Sequence, residues 1–327
     1  MSLPTRNDAK PVDVLLTDYA MGYAQSKSGS HVASQIGTVK KVKKASDRYP
    51  IWDKGDFWRS EMQLVGRGEA SPEAGFRMST DTYFCDGYKL KKLVLDEDVA
   101  DSDVDLRLAT TEYLVDQALL KRDKVVASEI FATGKWTGIT EETGVTGTPS
   151  TNEFKRWDAS GSVPIKDFID ARESVRQNCG HLATHCLTSW PVINALTIHS
   201  DIVARYQYVT GGGVSLEQLE QLLGVKFIIG GVMENTAKEA ATDSLSDVWG
   251  KHALFLYVDP SPSPNSMTPS AVTTFSWSDY DKMDATGAAI KSWRNDDPDG
   301  EWLRVQAAFD CKITAQDAAV FHYTCVS

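Results

Sequence analysis

Apolar and polar positions change period several times along the chain. "FRMSTDTYFCDGYKLKKLVL" alternates between the two, as a half-buried strand does. "TVKKVKKASDRYPIWDKGDFWR" precedes it, and the turn-rich "GRGEASPEAG" lies between them. Together residues 37–95 predict a long two-stranded excursion. An isolated hairpin is marginal in water, so a long one needs a surface to lie against. Trp52, Phe57 and Trp58 near its tip are expensive to expose unless a partner covers them. From about Ser102 to Ala132 the spacing becomes helical. Leu108, Val115, Leu119, Val126 and Ile130 form one stripe, and Leu106, Ala109, Tyr113, Leu120 and Phe131 a second. Ser102 is the expected N-cap and Gly134 the stop. At ~1.5 Å per residue this helix spans roughly 45 Å. Two stripes predict a spine gripped on both sides.

Residues 135–163 are rich in Gly, Thr and Ser and read as loop. "PIKDFIDARESVRQNCG" then predicts a helix opened by Pro164, with Phe168, Ala171 and Val175 at helical spacing and Gly180 as its end. A strand "LATHCLTS" leads into the short helix "WPVINALTIH", in which Trp190, Val192, Ile193 and Leu196 are expected to pack. His199 sits at its end, where the helix dipole favours it. "SLEQLEQLLG" carries a capping box of Ser215 and Gln218, an apolar face of Leu216, Leu219 and Leu223, and a closing Gly224. "VKFIIGG", "HALFLYV" and "AVTTFSW" read as strands, and residues 301–326 as two more around a turn. The expected class is α+β, with a β-arm and a spine helix projecting from a mixed domain. Residues 1–36 lack strong periodicity, so their order is expected to come from contact with neighbours rather than from self-packing.

Composition narrows the function. The chain has 327 residues, 42% hydrophobic and 24% charged, as ordinary globular proteins have. A formal net charge of -11 runs against a free-standing nucleic-acid binder, which needs Lys and Arg for phosphates. The charge is uneven: residues 1–50 hold eight Lys/Arg against four Asp/Glu, and residues 271–327 hold five against nine. Five scattered cysteines form no disulfide framework, and no apolar run is long enough for a signal peptide or a membrane span. The expectation is a protein made in a reducing cytoplasm.

The search for chemistry returns little. "TGGGVS" at residues 210–215 precedes a helix but lacks the lysine of a phosphate loop. "RNDDPDGEW" reads as a solvated acidic turn. The sharpest cluster is Cys179, His181, His185 and Cys186. All are zinc-ligand types, but the C-x-H-x3-H-C spacing matches no common zinc module. On a strand, His181 and His185 share a face from which Cys186 points away. Buried structural Cys and His are the plainer reading, and a metal or thiol enzyme is the alternative. No catalytic, cofactor-binding or metal-binding residue is assigned.

The order of these pieces is informative. "LDEDVADSDVDLRLATTEYLVDQALLKRDKVVASEIF", "DARESVRQNCGHLATHCLTSWPVINALTIHSDIVARYQY" and "LEQLLGVKFIIGG" follow a polar arm and a long β excursion. This resembles the major capsid proteins of tailed bacteriophages, the Hong Kong 97-type capsid fold, over nearly the whole chain. The resemblance implies an N-terminal arm at 1–36 and an E-loop with flanking strands at 37–95. It implies a peripheral domain with the spine helix at 96–179 and 301–327, and an axial domain at 180–300. It further implies self-assembly into pentamers and hexamers of an icosahedral shell that encloses double-stranded DNA without reading its sequence. Portal and scaffolding proteins, and a decoration protein, are the implied partners; no membrane, cofactor or enzymatic activity is implied. The implied location is the virion capsid, assembled in the host cytoplasm. Trp52, Phe57, Trp58, Arg59 and Arg67 are the candidate intersubunit contacts, because interfaces favour aromatics and Arg. An encapsulin-like nanocompartment shell shares the fold; the long polar arm argues against it.

Overall fold

The computed structural model describes residues 14–27, 29–52, 54–136, 140–206, 214–238, 241–259, 270–278 and 290–327. In chain order the first elements are α1 (Val14–Ser26), β1 (Thr38–Val42), β2 (Ser46–Trp52), α2 (Lys54–Phe57), β3 (Met78–Phe84) and β4 (Asp86–Leu95). Then come α3 (Asp96–Asp101), α4 (Leu106–Ile130), β5 (Glu141–Val145), β6 (Glu153–Lys155), α5 (Pro164–Cys179), β7 (His185–Ser189), α6 (Trp190–Ile198) and α7 (Ser200–Tyr206). The remainder are α8 (Leu216–Leu223), β8 (Lys226–Gly230), β9 (Met233–Asn235), β10 (Leu245–Asp247), β11 (Ala253–Leu256), β12 (Val272–Trp277), β13 (Ile290–Asp296), β14 (Asp299–Ile313) and β15 (Ala319–Tyr323). No helix among the described residues is long and apolar enough to cross a membrane.

Two sheets organise these elements. One runs β1-β12-β14-β13, with β4 also paired along β14 from Gly300↔Leu95 to Phe309↔Asp86. The other runs β6-β5-β15-β11-β7-β8. β12 and β13 join β14, whereas β15 sits between β5 and β11.

The spine helix α4 starts later than expected. Asp105, not Ser102, is the N-cap: its Oδ1 accepts from the backbone N–H of Arg107 (3.0 Å) and Leu108 (3.2 Å). Ser102 ends the separate helix α3, and its hydroxyl closes a turn onto Val104. The helix stops at Ile130, four residues before Gly134. One face is buried, with Leu114, Val115, Val126 and Ile130 fully inside. The predicted second stripe is not gripped along its length: Ala109 is exposed and Tyr113 is 50% exposed.

Residues 14–36 correct the expectation that the arm lacks its own packing. α1 lies on α4, with Ala20 and Ala24 buried in one cluster with Leu114, Val115 and Leu303. Small side chains permit that close approach. Polar positions meet carboxylates of the spine: Tyr23 Oη donates to Asp116 Oδ2 (2.9 Å), and His31 Nδ1 lies 2.5 Å from Asp123 Oδ2. Asp123 is fully buried and also accepts from the Ala33 N–H at 3.0 Å. Val32, Ala33 and Ile36 complete the attachment inside the main core.

The six-stranded sheet is covered by α5, whose Phe168, Ala171 and Val175 are buried as the spacing predicts. Phe168 meets Phe255 of β11 edge to face, at 4.7 Å between centroids. Gly180 caps α5 in the left-handed region (φ 78°), and Ser215 and Gln218 form the full capping box of α8. The loop expected at 135–163 contains β5 and β6. Gly144 explains why local reading missed them: a Cβ there would lie 2.1 Å from the Thr324 carbonyl oxygen, a contact made across the fold. Trp190 (52% exposed) and Leu216 (37%) face outward rather than packing, while Val192, Ile193, Leu196, Leu219 and Leu223 are buried.

One buried carboxyl gives the fold a pH dependence. Asp167 accepts from Trp157 Nε1 at 3.0 Å, and burial pushes its carboxyl up to about 6. The folded state therefore holds this proton more tightly than the unfolded chain. That contribution is fully present below pH ~4 and is lost as pH rises through about 6. Denaturant melts of the subunit between pH 4 and 7 should show this loss, and Asp167→Asn, which keeps an acceptor for Trp157, should remove it from the profile. An unchanged profile would show that Asp167 is ionised throughout.

Candidate intersubunit interface

The arm is built from β2 and β3, paired in register from Ser46↔Phe84 to Trp52↔Met78. Only its root has a core. Tyr83 stacks on Phe275 of β12 at 4.5 Å, Tyr49 tilts against the same ring at 5.2 Å, and Cys85 completes the cluster. Tyr49 Oη donates to Asp81 Oδ2 at 3.0 Å. Burial, then this bond to a carboxylate, pushes the Tyr49 phenol well above its ordinary range.

Past the root the ribbon opens into residues 54–77, which carry the four-residue helix α2 and no further strand. An ion pair closes the neck. Arg77 donates to Asp56 Oδ2 from its backbone N–H (2.8 Å) and from Nε (3.2 Å), and this holds the Asp56 carboxyl below the usual range. At the far end Gly66 and Glu69 form a turn, with the Gly66 N–H donating to Glu69 Oε2 at 3.1 Å. The apolar side chains between neck and turn have little to pack on: Met62 is 95% exposed and Leu64 104%, with Phe76, Met78 and Trp58 more than half exposed. Monomeric proteins rarely display such a cluster without a partner for it.

The predicted contact residues fall out as follows. Trp58 is half-exposed, and its indole rests on Gly180, where an added Cβ would lie 3.1 Å from Cζ2. The Arg59 side chain is 60% exposed and lies 3.8 Å from Asp56 and 3.7 Å from Glu61. Arg67 is exposed in the terminal turn. The side chains of Trp52 and Phe57 lie outside the described residues. Sequence reasoning passed over Met62, Leu64, Phe76 and Met78. Their signal was present as apolar residues in a stretch too polar and turn-rich to enclose a core.

The cysteine–histidine cluster does not assemble. The Cys179 thiol donates to the His181 carbonyl at 3.4 Å, while the His181 ring stacks on Tyr257 at 4.6 Å. His185 Nδ1 pairs with Thr184 Oγ1 at 2.8 Å. Cys186 is fully buried within the sheet, and burial pushes its thiol far up, away from the thiolate that a metal or a nucleophile requires. Among the described residues no three His, Cys, Asp or Glu side chains gather as a metal site. His199 does end α6, but its ring is held by packing and hydrogen bonds, with Nε2 3.0 Å from Ser162 Oγ and Nδ1 accepting from the Asp201 N–H. "RNDDPDGEW" is the exposed hairpin between β13 and β14. Most of "TGGGVS" lies outside the described residues.

Comparison with known proteins agrees with this architecture. The major capsid protein of Pseudomonas phage JBD67 is 26% identical over 256 residues, covering 76% of this chain and 78% of that one. A phage-related protein from Bordetella bronchiseptica RB50 superposes with a TM-score of 0.71 at 19% identity, over 97% of this chain and 99% of its own. The capsid structure of cyanophage P-SCSP1u gives 0.57 at 14% identity, over 88% and 86%. These likenesses identify the fold as α+β and Hong Kong 97-like. The model of the family described as "Phage major capsid protein E" matches residues 98–309, from α3 through most of β14. The chain thus belongs to the phage major capsid protein E family, whose members are structural proteins of the capsid shell.

Proposed function

We propose that this chain forms the pentamers and hexamers of an icosahedral shell around double-stranded DNA, and that its β-arm is the device that joins neighbouring copies. The observation that carries the proposal is the arm itself. It is a ribbon with a core only at its root, bearing Met62 and Leu64 where its own chain does not cover them. Burying each of these would contribute about 1.5–3 kcal/mol, a gain open only to an assembled copy. In this reading the arm is the E-loop, with Trp52, Phe57, Trp58, Arg59 and Arg67 among its intersubunit contacts. The sheet containing β14, together with α1 and α4, serves as the peripheral domain, and the sheet around β7, β8 and β11 as the axial domain. DNA is held by enclosure, consistent with a net charge of -11. Portal, scaffolding and decoration proteins are the further partners, and assembly takes place in the host cytoplasm. The work is structural rather than enzymatic. The family match favours a phage shell over a cargo-holding nanocompartment.

Electron microscopy of the purified chain, alone and co-expressed with its phage's other head proteins, tests this. Closed shells, or rings of five and six subunits, are the expected result. Persistent monomers under both conditions would overturn it.

A further inference from the structure

The ring of His322 holds two strands at once. His322 belongs to β15, and its side chain is 1% exposed. In register it faces Glu142 of β5, and its Nε2 sits 3.2 Å from Glu142 Oε2. The same ring stacks on Phe154 of β6, at 4.5 Å between centroids. Backbone pairing here is short: β5 meets β15 over three residues, and β6 meets β5 over three. β5 and β6 form one edge of the six-stranded sheet. We propose that His322 and Glu142 are an acid-sensitive fastener, so that protonation of Glu142 lets β5 and β6 open while the rest of the sheet stays closed.

The geometry sets the order in which the fastener gives way. Nδ1 of His322 is buried without a hydrogen-bond partner, so among the described residues the ring's polar anchor is the Glu142 carboxylate. The Glu142 side chain is 31% exposed, so protons from water reach it. A second carboxyl, Asp167 of α5, lies close enough to feel the charges of both. Burial pushes Asp167 up to about 6, so it is already neutral in mild acid. Burial pushes Glu142 up as well, but the contact with His322 and its charge outweigh this and leave the carboxyl below its ordinary value. Glu142 is therefore the last carboxylate facing the ring as the pH falls. Its contribution is present above its ordinary value and is lost as pH drops through the lower folded one. Asp167 runs the opposite way and takes its proton first, so it does not cause the opening. The surrounding groups have other partners. Asp170 of α5 pairs with Lys166, and Glu141 and Glu153 accept from the N–H groups of Gly134 and Ser150. Arg156 donates to the Gly144 carbonyl, and the Cys325 thiol to the His322 carbonyl. From β11 the ring meets Phe255, which does not titrate.

Amide hydrogen exchange of the full chain, read peptide by peptide and corrected for the intrinsic pH dependence of exchange, tests the fastener. In the wild type, protection of residues 141–155 should fall ~10-fold or more between about pH 5 and pH 3, the effect of losing one hydrogen-bonded charge. β7 and β11 should keep their protection over the same range. Glu142→Gln mimics the protonated carboxyl, so residues 141–155 should already be weakly protected at neutral pH and show no further acid step. Asp167→Asn should leave the acid step in place, because Asp167 is neutral before Glu142 titrates. An acid step that survives in Glu142→Gln, or disappears in Asp167→Asn, would overturn the proposal. Should either variant fail to fold, the wild-type profile decides: protection of 141–155 that persists to pH ~3, or that is lost in step with β11, overturns it equally.

Discussion

With Met62 and Leu64 both changed to Asp, the subunit melts at the wild-type temperature and no longer closes into shells. The two halves of this result have separate causes. In the isolated chain both side chains are in water, and surface substitutions of that kind shift stability by no more than about 0.5 kcal/mol. At an interface the same positions lose about 1.5–3 kcal/mol of burial each, and a carboxylate must be desolvated in its place. A loss of about 3 kcal/mol per contact already weakens association more than 100-fold. A shell repeats that contact at every subunit. Circular dichroism melts read the first half, and sedimentation of assembled against unassembled protein reads the second. Wild-type shell yield from this variant would mean that the arm tip is not an interface. A lowered melting temperature would mean that the tip packs within its own chain after all.

What could be read from the sequence divides along a physical line. α5 and α8 were legible to their ends because their signals are local. Pro164 and Gly180, or Ser215, Gln218 and Gly224, act within one turn of the helices they bound. The start of α4 was misplaced by three residues because Ser102 ends α3 instead, and only the backbone path between α3 and α4 shows that Asp105 is the cap. α1 escaped notice for a different reason. Its buried positions are Ala20 and Ala24, too small to mark a stripe, and the partners it packs on and hydrogen-bonds to lie almost a hundred residues away on α4. β5 and β6 likewise depend on β15, which lies far along the chain. The interface was half legible. Trp58 and the two arginines advertised it, but the most exposed apolar residues, Met62 and Leu64, lay in a segment that reads as loop, since nothing in one chain shows what covers them.

Gly230→Ala should be strongly destabilising, for a reason that the strand pattern "VKFIIGG" hides. In sequence Gly230 marks only the end of a strand. In the fold, a Cβ at this position would lie 2.2 Å from Cδ1 and 2.4 Å from Cγ of Trp249. That ring is fully buried and meets Phe131, the C-cap of the spine helix, edge to face at 5.5 Å. Phe131 in turn packs on Phe321 of β15 and on His252, whose imidazole is pushed down to about 4 by burial and accepts from the Thr324 N–H. The added methyl must therefore displace the indole, and with it the joint between α4 and the six-stranded sheet. Overpacking of this kind costs about 3 kcal/mol, a fall of roughly 4 °C in melting temperature for a chain of this size. Trp249→Leu on its own is also destabilising, because it empties the same joint. Combined, the two should cost less than their sum, with a coupling of at least about 1 kcal/mol in a double-mutant cycle of denaturant melts. Strict additivity would show that the glycine and the indole do not meet. The coupling also bears on assembly: the joint fixes how the spine helix is held relative to the sheet. Subunits weakened there should form shells less efficiently than Met62 and Leu64 alone would predict, even though every arm residue is intact.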